Sequence, residues 1–426
     1  MDLFSISDAE LMKFFFSIAL LLAAAHGFGY VFQKLRMPRV VGEIFGGLLL
    51  GPTVLGVFAP TVYQAIASEG KLLAVIYWLG LVLLMFISGF EVQSKFDAQD
   101  RKTVIALVIG STIIPFIFGW WITSFFDVQM LMGPANNLLS LKLIVSVAMA
   151  ITSIPVISRM FIDMGIMDTR FAKIVLGAAT MHDVLLWIFV TVATSLVTAA
   201  TLSAKNIAVH VLVTLVFFGI VLVLAPRFIR FIAERKWNMI PQKYEMAFIV
   251  LMLILFVTAA SYFSINIVFG AFLAGVVVGY LKSQKFEYAK TSIKDFSLAF
   301  FVPIYFAIVG VKLDLLRHFD PVFSLLFMAF ATLVQVAAVV STAKILRYGW
   351  LGSFNLALAM NSRGGPGIVL GTLAFDLGII SETFFVTLVL NAIVTSLLGG
   401  AWLRYVLSRG WPLLDDEQAR TEVIIN

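Results

Sequence analysis

The sequence predicts an all-α polytopic membrane protein of about thirteen transmembrane helices, and three observations predict it. Charge is scarce, long apolar runs follow one another, and the basic residues gather on one side of those runs. Of the 426 residues, 61% are hydrophobic and 13% charged, whereas a soluble domain carries about 25% charged residues. Lipid excludes charge, so a hydrocarbon-facing surface accounts for the deficit. The net charge of +6 does not point to nucleic acid, because the basic residues sit in short loops rather than on one soluble module. With no cysteine and only four histidines, disulfide frameworks, Cys-ligated metals and multi-histidine centres are excluded.

A helix needs roughly 20 apolar residues to cross the hydrocarbon core. The runs that qualify are 11–33, 40–57, 72–90, 103–126, 141–162, 171–199, 207–232, 244–262, 265–281, 296–311, 321–346, 351–377 and 384–407. The first is too long and too poorly flanked for a cleaved signal peptide, so it counts as the first membrane segment. Strands of a barrel would alternate in polarity over about ten residues, and these runs do not. Of the 30 basic residues, Lys13, Lys71, Lys142, Lys205, Lys312 and Arg317 fall on one face and Arg363 inside a segment. All the others fall on the opposite face, which the positive-inside rule makes cytoplasmic. The expectation is an inner- or plasma-membrane protein with its N-terminus outside and its C-terminus in the cytoplasm.

The halves of the chain repeat one another. Segment two reads VVGEIFGGLLLG and segment nine SINIVFGAFLAG, so Phe45, Gly46 and Gly51 match Phe269, Gly270 and Gly275. Gly89 in segment three stands opposite Gly310 in segment ten, and Pro155 in segment five opposite Pro366 in segment twelve. Each pair lies seven segments apart, and an odd offset reverses direction across the membrane. The chain thus reads as a single membrane domain, 1–426, built of inverted repeats 11–199 and 244–407. A connector helix spans 207–232, and 408–426 form a short cytoplasmic tail.

Inverted-repeat transporters place their site where two interrupted helices meet near the midplane. Segment five carries Thr152, Ser153, Ile154 and Pro155, and segment twelve carries Asn361, Ser362, Arg363, Gly364, Gly365, Pro366 and Gly367. Proline frees a carbonyl one turn back and glycine lowers the cost of unwinding. Freed carbonyls are cation ligands. A plain proline kink is the alternative for either segment alone. Asp183 has apolar sequence on both sides. An acid at mid-membrane costs about 2.5–3.5 kcal/mol and marks an ion or proton path, or else is satisfied by helix–helix hydrogen bonds. A carboxylate that binds one proton or one alkali cation, and not both, is the physical core of exchange. His182 points about 100° away from Asp183 on a helix and either lines the cavity, titrates near its reference pKa of about 6.5 or bonds to a neighbour. Arg363 neutralises the crossing region or pairs with an acid, Asp163 or Glu43. Arg159 and Asp163 are spaced for a helical pair. Glu43 is an interfacial charge or a funnel-lining acid.

These residues resemble the monovalent cation/proton antiporter superfamily, in particular its second branch of Kef-like and NapA-like members. The similarity runs through GEIFGGLLLGPTVLG at 42–56, FISGFEV at 86–92, TSIPVISRMFIDMG at 152–165, MHDV at 181–184 and NSRGGPGIVLGTLAFDLGII at 361–380. The resemblance implies an NhaA-like fold of crossed discontinuous helices, a dimer-forming domain, a mobile core domain and alternating access. It implies that Asp183 binds K⁺ or Na⁺ and a proton in turn beside Thr152 and Ser153, with no cofactor, and that the protein is a homodimer. The pattern departs in three places. The acid is preceded by His182 rather than Asp, Asn or Gln. The lysine of some electrogenic members in segment ten is replaced by Ile308. No G-x-G-x-x-G follows a strand, as in the soluble domain of Kef-type members, so regulation is expected from a separate subunit if from any.

A channel would also need a polar path, but not two inverted broken helices beside a lone acid. A transporter of organic anions on a similar architecture would favour basic or neutral groups over Asp183. An enzyme is not indicated, since no paired acids, His-rich motif or nucleophile–base pair lies within the membrane.

Overall fold

The computed structural model describes residues 7–35, 37–68, 70–91, 100–198, 212–213, 216–221, 224, 227, 231, 243–263 and 265–414. The expected connector helix 207–232 and the tail 408–426 lie largely outside the described residues. Those that are described fold as an all-α, multi-pass membrane protein. The chain forms two compact units, Met1–Glu91 with Phe218–His318, and Val92–Phe217 with Phe319–Asn426. Each therefore takes helices from both halves of the sequence.

In the first unit, α1 (Asp8–Lys34) starts at a capping box formed by Ser7 and Glu10. It is followed by α2 (Arg39–Leu50) and α3 (Gly70–Glu91). In the second unit, α4 (Arg101–Trp120) precedes α5 (Leu138–Ala150), α6 (Ile154–Asp163) and α7 (Arg170–Thr198). The first unit resumes with α8 (Glu245–Tyr262), α9 (Ile267–Val278), α10 (Gln284–Ala299) and α11 (Phe301–Val311). The second is completed by α12 (Pro321–Ile345), α13 (Trp350–Met360), α14 (Gly364–Asp376) and α15 (Glu382–Ser408).

Small residues set the packing of the first unit. A Cβ on Gly89 of α3 would fall 2.9 Å from the Cα of Gly275 on α9, and the reverse holds too. On α2 and α11, Gly47 lies against the backbone of Ala307 and Gly310 against that of Ile44. Such backbone-to-backbone approach is how membrane helices gain dispersion energy where lipid removes the hydrophobic drive. In the second unit, α14 is buried along nearly its whole length, while α12 exposes Val322, Leu325, Leu326 and Leu333. Apolar residues exposed along a 25-residue apolar helix form a lipid-facing surface rather than a water-facing one.

Among the described residues, nine helices are long and apolar enough to cross a membrane, and α5, α9 and α13 are shorter apolar pieces. The expected segments 141–162 and 351–377 are each two helices, separated at 151–153 and 361–363. The expected loop bearing Lys285, Lys290 and Lys294 is instead the helix α10. Hydropathy overlooked it because its exposed face is charged. Lys290 turns inward, donating to the carbonyl of Leu281 at 3.1 Å and to Glu287 at 2.7 Å.

Candidate functional site

The site lies in the second unit, where the two interrupted helices meet. After α5 ends at Ala150, Ser153 takes extended backbone angles and its hydroxyl accepts from Val156 N at 3.5 Å, starting α6. Pro155 falls in the first turn of α6, where a missing N–H leaves no partner wanting. It starts a helix rather than kinking one, and it leaves the Ile151 carbonyl without a helical donor. Pro366 stands likewise in the first turn of α14 and frees the carbonyl of Ser362. That carbonyl accepts instead from Ser153 N at 2.7 Å.

The ends of the two leading half-helices are capped crosswise. The Thr152 hydroxyl donates to the carbonyl of Met360, the last residue of α13, at 2.8 Å. The Arg363 guanidinium donates through Nη2 to the carbonyl of Met149, next to the end of α5, at 3.1 Å. C-terminal helix carbonyls lack N–H partners and carry partial negative charge, so a hydroxyl and a guanidinium suit them.

Arg363 is 2% exposed. Besides Met149, its guanidinium reaches the Ala331 carbonyl of α12 at 3.1 Å and Asn391 Oδ1 of α15 at 3.2 Å. The sequence suggested an acid, Asp163 or Glu43, as an alternative partner, and neither pairs with it. Asp163 pairs with Arg159 at 3.0 Å on an exposed face. Glu43 is 3% exposed, belongs to the first unit and pairs with Arg39 at 2.8 Å. Two backbone carbonyls and an amide supplant the acid because five N–H donors in a planar fork need several acceptors, not one.

Asp183 lies midway along α7, 2% exposed, with Oδ1 buried and no hydrogen-bond partner among the described residues. His182 is fully buried, with Nδ1 3.2 Å from Thr152 Oγ1. The one proton of Thr152 is engaged with Met360 O, so the His182 nitrogen is the donor and Nδ1 carries a proton. His182 Nε2 is buried without a partner among the described residues. Thr152, Ser153, Asn361, Ser362 and Arg363 are likewise buried, as are Gly364, Gly365 and Pro366. Sequence reasoning missed the α15 residues that face the second break, Asn391, Thr395 and Ser396. Their signal was a polar stripe at i, i+4 and i+5 in the middle of a largely apolar helix.

Among the described residues no group of three His, Cys, Asp or Glu side chains converges. A cation held here would be met by one carboxylate together with hydroxyl and carbonyl oxygens. Such hard donors suit a proton or an alkali ion better than a transition metal. The family model described as "Sodium/hydrogen exchanger, transmembrane" matches residues 17–409. The chain belongs to the sodium/hydrogen exchanger family. Among similar exchangers, the Na(+)/H(+) antiporter NhaS4 of Synechocystis is 27% identical over 393 residues, covering 90% of this chain and 94% of that protein. The K(+)/H(+) antiporter 1 of Saccharomyces cerevisiae is 26% identical over 406 residues; the match covers 92% of this chain and 46% of that longer protein. The exchanger fold is matched by the sodium proton antiporter MjNhaP1 of Methanocaldococcus jannaschii, with a TM-score of 0.68 and 16% identity over 93% of this chain and 98% of that one.

Proposed function

We propose that Asp183 is the group at which this cation/proton antiporter binds its monovalent cation and its proton in turn, each displacing the other. The observation that carries the reading is the buried Asp183 carboxylate, one oxygen unpartnered among the described residues, next in sequence to a histidine bonded to the first helix break. A buried carboxylate without a fixed cationic partner is stable when neutralised, by a proton or by an alkali ion. Thr152 and Ser153 supply oxygens beside it and His182 orients Thr152. Both Na⁺ and K⁺ are cargo classes for such a site, and the relatives named for each support both.

The wider reading follows. Exchange proceeds by alternating access in an inner or plasma membrane, with the N-terminus outside and the C-terminus in the cytoplasm. The repeats 11–199 and 244–407 are inverted copies. The swapped pairing of α2 with α11 and of α3 with α9 supports this, because segments two and nine, and three and ten, exchange partners. The protein acts as a homodimer, and any regulatory nucleotide sensing comes from a separate subunit.

The test is Asp183→Asn in proteoliposomes, with proton flux driven by Na⁺ or K⁺ gradients. Exchange should be lost while the protein still inserts and elutes as wild type. Wild-type exchange in well-folded Asp183→Asn would refute the assignment.

A further inference from the structure

We infer that Thr395 and Ser396 of α15, with Asn391, are positioning residues for the cation site, although none of them belongs to it. The inference rests on the reading of Asp183 and the first break as that site. Residues 391, 395, 396 and 399 lie on one face of a helix, and that face meets the second break. Thr395 Oγ1 accepts from Arg363 N at 3.4 Å and Ser396 Oγ from Gly364 N at 3.1 Å. Asn391 Oδ1 takes Arg363 Nη1 at 3.2 Å. At position 399 a Cβ would fall 2.7 Å from Ser362 Oγ and 2.8 Å from the Leu358 carbonyl, so only glycine lets the break come this close.

The polarity of these contacts is fixed. Arg363 and Gly364 open α14, so their N–H groups have no carbonyl in their own helix. No water reaches them at this depth: Thr395 is 1% and Ser396 4% exposed. The Thr395 hydroxyl donates its single proton to the Asn391 carbonyl at 2.7 Å, and that of Ser396 to the Ala392 carbonyl at 2.7 Å. With those protons engaged on α15 itself, each oxygen has only lone pairs to offer, and an N–H of the break is what it accepts. The two hydroxyls therefore act as a fixed template for residues 363–364.

That template reaches the first break through two further bonds. The Ser362 carbonyl holds Ser153 N, and Arg363 holds the Met149 carbonyl. A shift of 363–364 off α15 moves the partner that fixes Ser153, and with it the oxygens of Thr152 and Ser153. Loss of the template should thus weaken cation binding more than it slows turnover.

The experiment is the double variant Thr395→Val, Ser396→Ala in proteoliposomes, reading initial exchange rate against cation concentration. Losing two buried acceptors should raise the apparent KM for the cation about tenfold, with the rate at saturation within about twofold of wild type. Thr395→Ser, which keeps the hydroxyl, should hold the wild-type KM. If the double variant does not reach the membrane, Ser396→Ala alone decides, with an expected rise of about threefold. A wild-type KM in protein that is merely less heat-stable overturns the inference and leaves a structural role. Asp183→Asn run in parallel separates the two readings: if it is dead while the α15 variants keep the wild-type KM, only this inference fails. If Asp183→Asn still exchanges, the site assignment itself fails.

Discussion

The main-chain N–H of Ser153 donates to the carbonyl of Ser362 at 2.7 Å, joining the two interrupted helices backbone to backbone. Each break uses the other as the turn it lacks. Pro366 makes the Ser362 carbonyl available, and the amide at Ser153 is available because it caps α6 rather than continuing α5. Thr152 and Arg363 repeat the exchange with side chains, each capping the half-helix of the opposite break. The crossing is therefore one hydrogen-bonded object, and a change at either break is felt at the other.

Gly364 is the narrowest point of that object. Its φ is +37°, and a Cβ there would press on Val156 and lie 2.7 Å from Ser153 Oγ. Gly364→Ala therefore has two costs, the left-handed backbone at about 1–2 kcal/mol and the displacement of Ser153. We expect it to lower exchange by at least about tenfold. Gly27→Ala is the control, since nothing lies within 4 Å of its added carbon. Equal initial rates for the two variants, normalised to inserted protein, would remove the crossing from the mechanism.

Arg363 ties three helices by donating to Met149, Ala331 and Asn391. Arg363→Lys keeps the charge but has no planar fork, and Arg363→Met keeps neither. Arg363→Met leaves the Met149 carbonyl and the Asn391 amide oxygen without their donor, and Arg363→Lys replaces only part of the set, at about 1–3 kcal/mol for each buried group left unpaired. We expect both to melt below wild type in detergent, with Arg363→Met the lower if the charge itself stabilises the half-helix ends. A melting temperature equal to wild type for Arg363→Met would show that those carbonyls find other donors.

How much of this was legible in the sequence depends on the range of the cause. The placement of Asp183 within an apolar helix and of Thr152 and the two prolines at the breaks was legible because its signal is local: an acid in an apolar run, and ring residues that cannot donate. The partner of Arg363 was not, because a guanidinium shared among carbonyls of α5 and α12 leaves no mark on the composition of those helices. Gly365 and Gly364 look alike in sequence, and the positive φ of Gly364 and the atoms its Cβ would meet mark it as a position where a side chain is excluded. The helix α10 was hidden because an apolar-run criterion passes over a helix with one charged face.

If proton and cation share the Asp183 carboxylate, as proposed, the sign of the pH dependence is fixed. Lowering pH loads Asp183 with protons on the side where the cation must bind, so the apparent KM for the cation rises while the rate at saturating cation is preserved. In the limit of one competing proton the rise is about tenfold per pH unit. The measurement is a KM series across pH with equal pH on both faces. A KM that stays constant while the maximal rate falls would place the titrating group outside the site.

The charge moved per cycle follows from the same carboxylate. One proton leaving Asp183 as one monovalent cation arrives transfers no net charge, and position 308 holds an isoleucine, packed against the apolar cluster of Leu21, Ala25 and Leu73, rather than a lysine. Exchange should therefore be electroneutral at alkaline pH. Among the described residues, His182 is the group beside the proposed site able to change this. Its Nδ1 proton is committed to Thr152, so a second proton would have to be taken up on Nε2, which has no partner among the described residues. At pH 8.5 only the Asp183 carboxylate is expected to cycle. The test is current from reconstituted protein on a solid-supported membrane under a cation gradient. No sustained current is expected at pH 8.5, and one that appears would overturn electroneutral exchange. A current that grows only at acid pH and vanishes in His182→Gln would assign the second proton to His182, because glutamine keeps an amide donor for Thr152 and carries no titrating nitrogen.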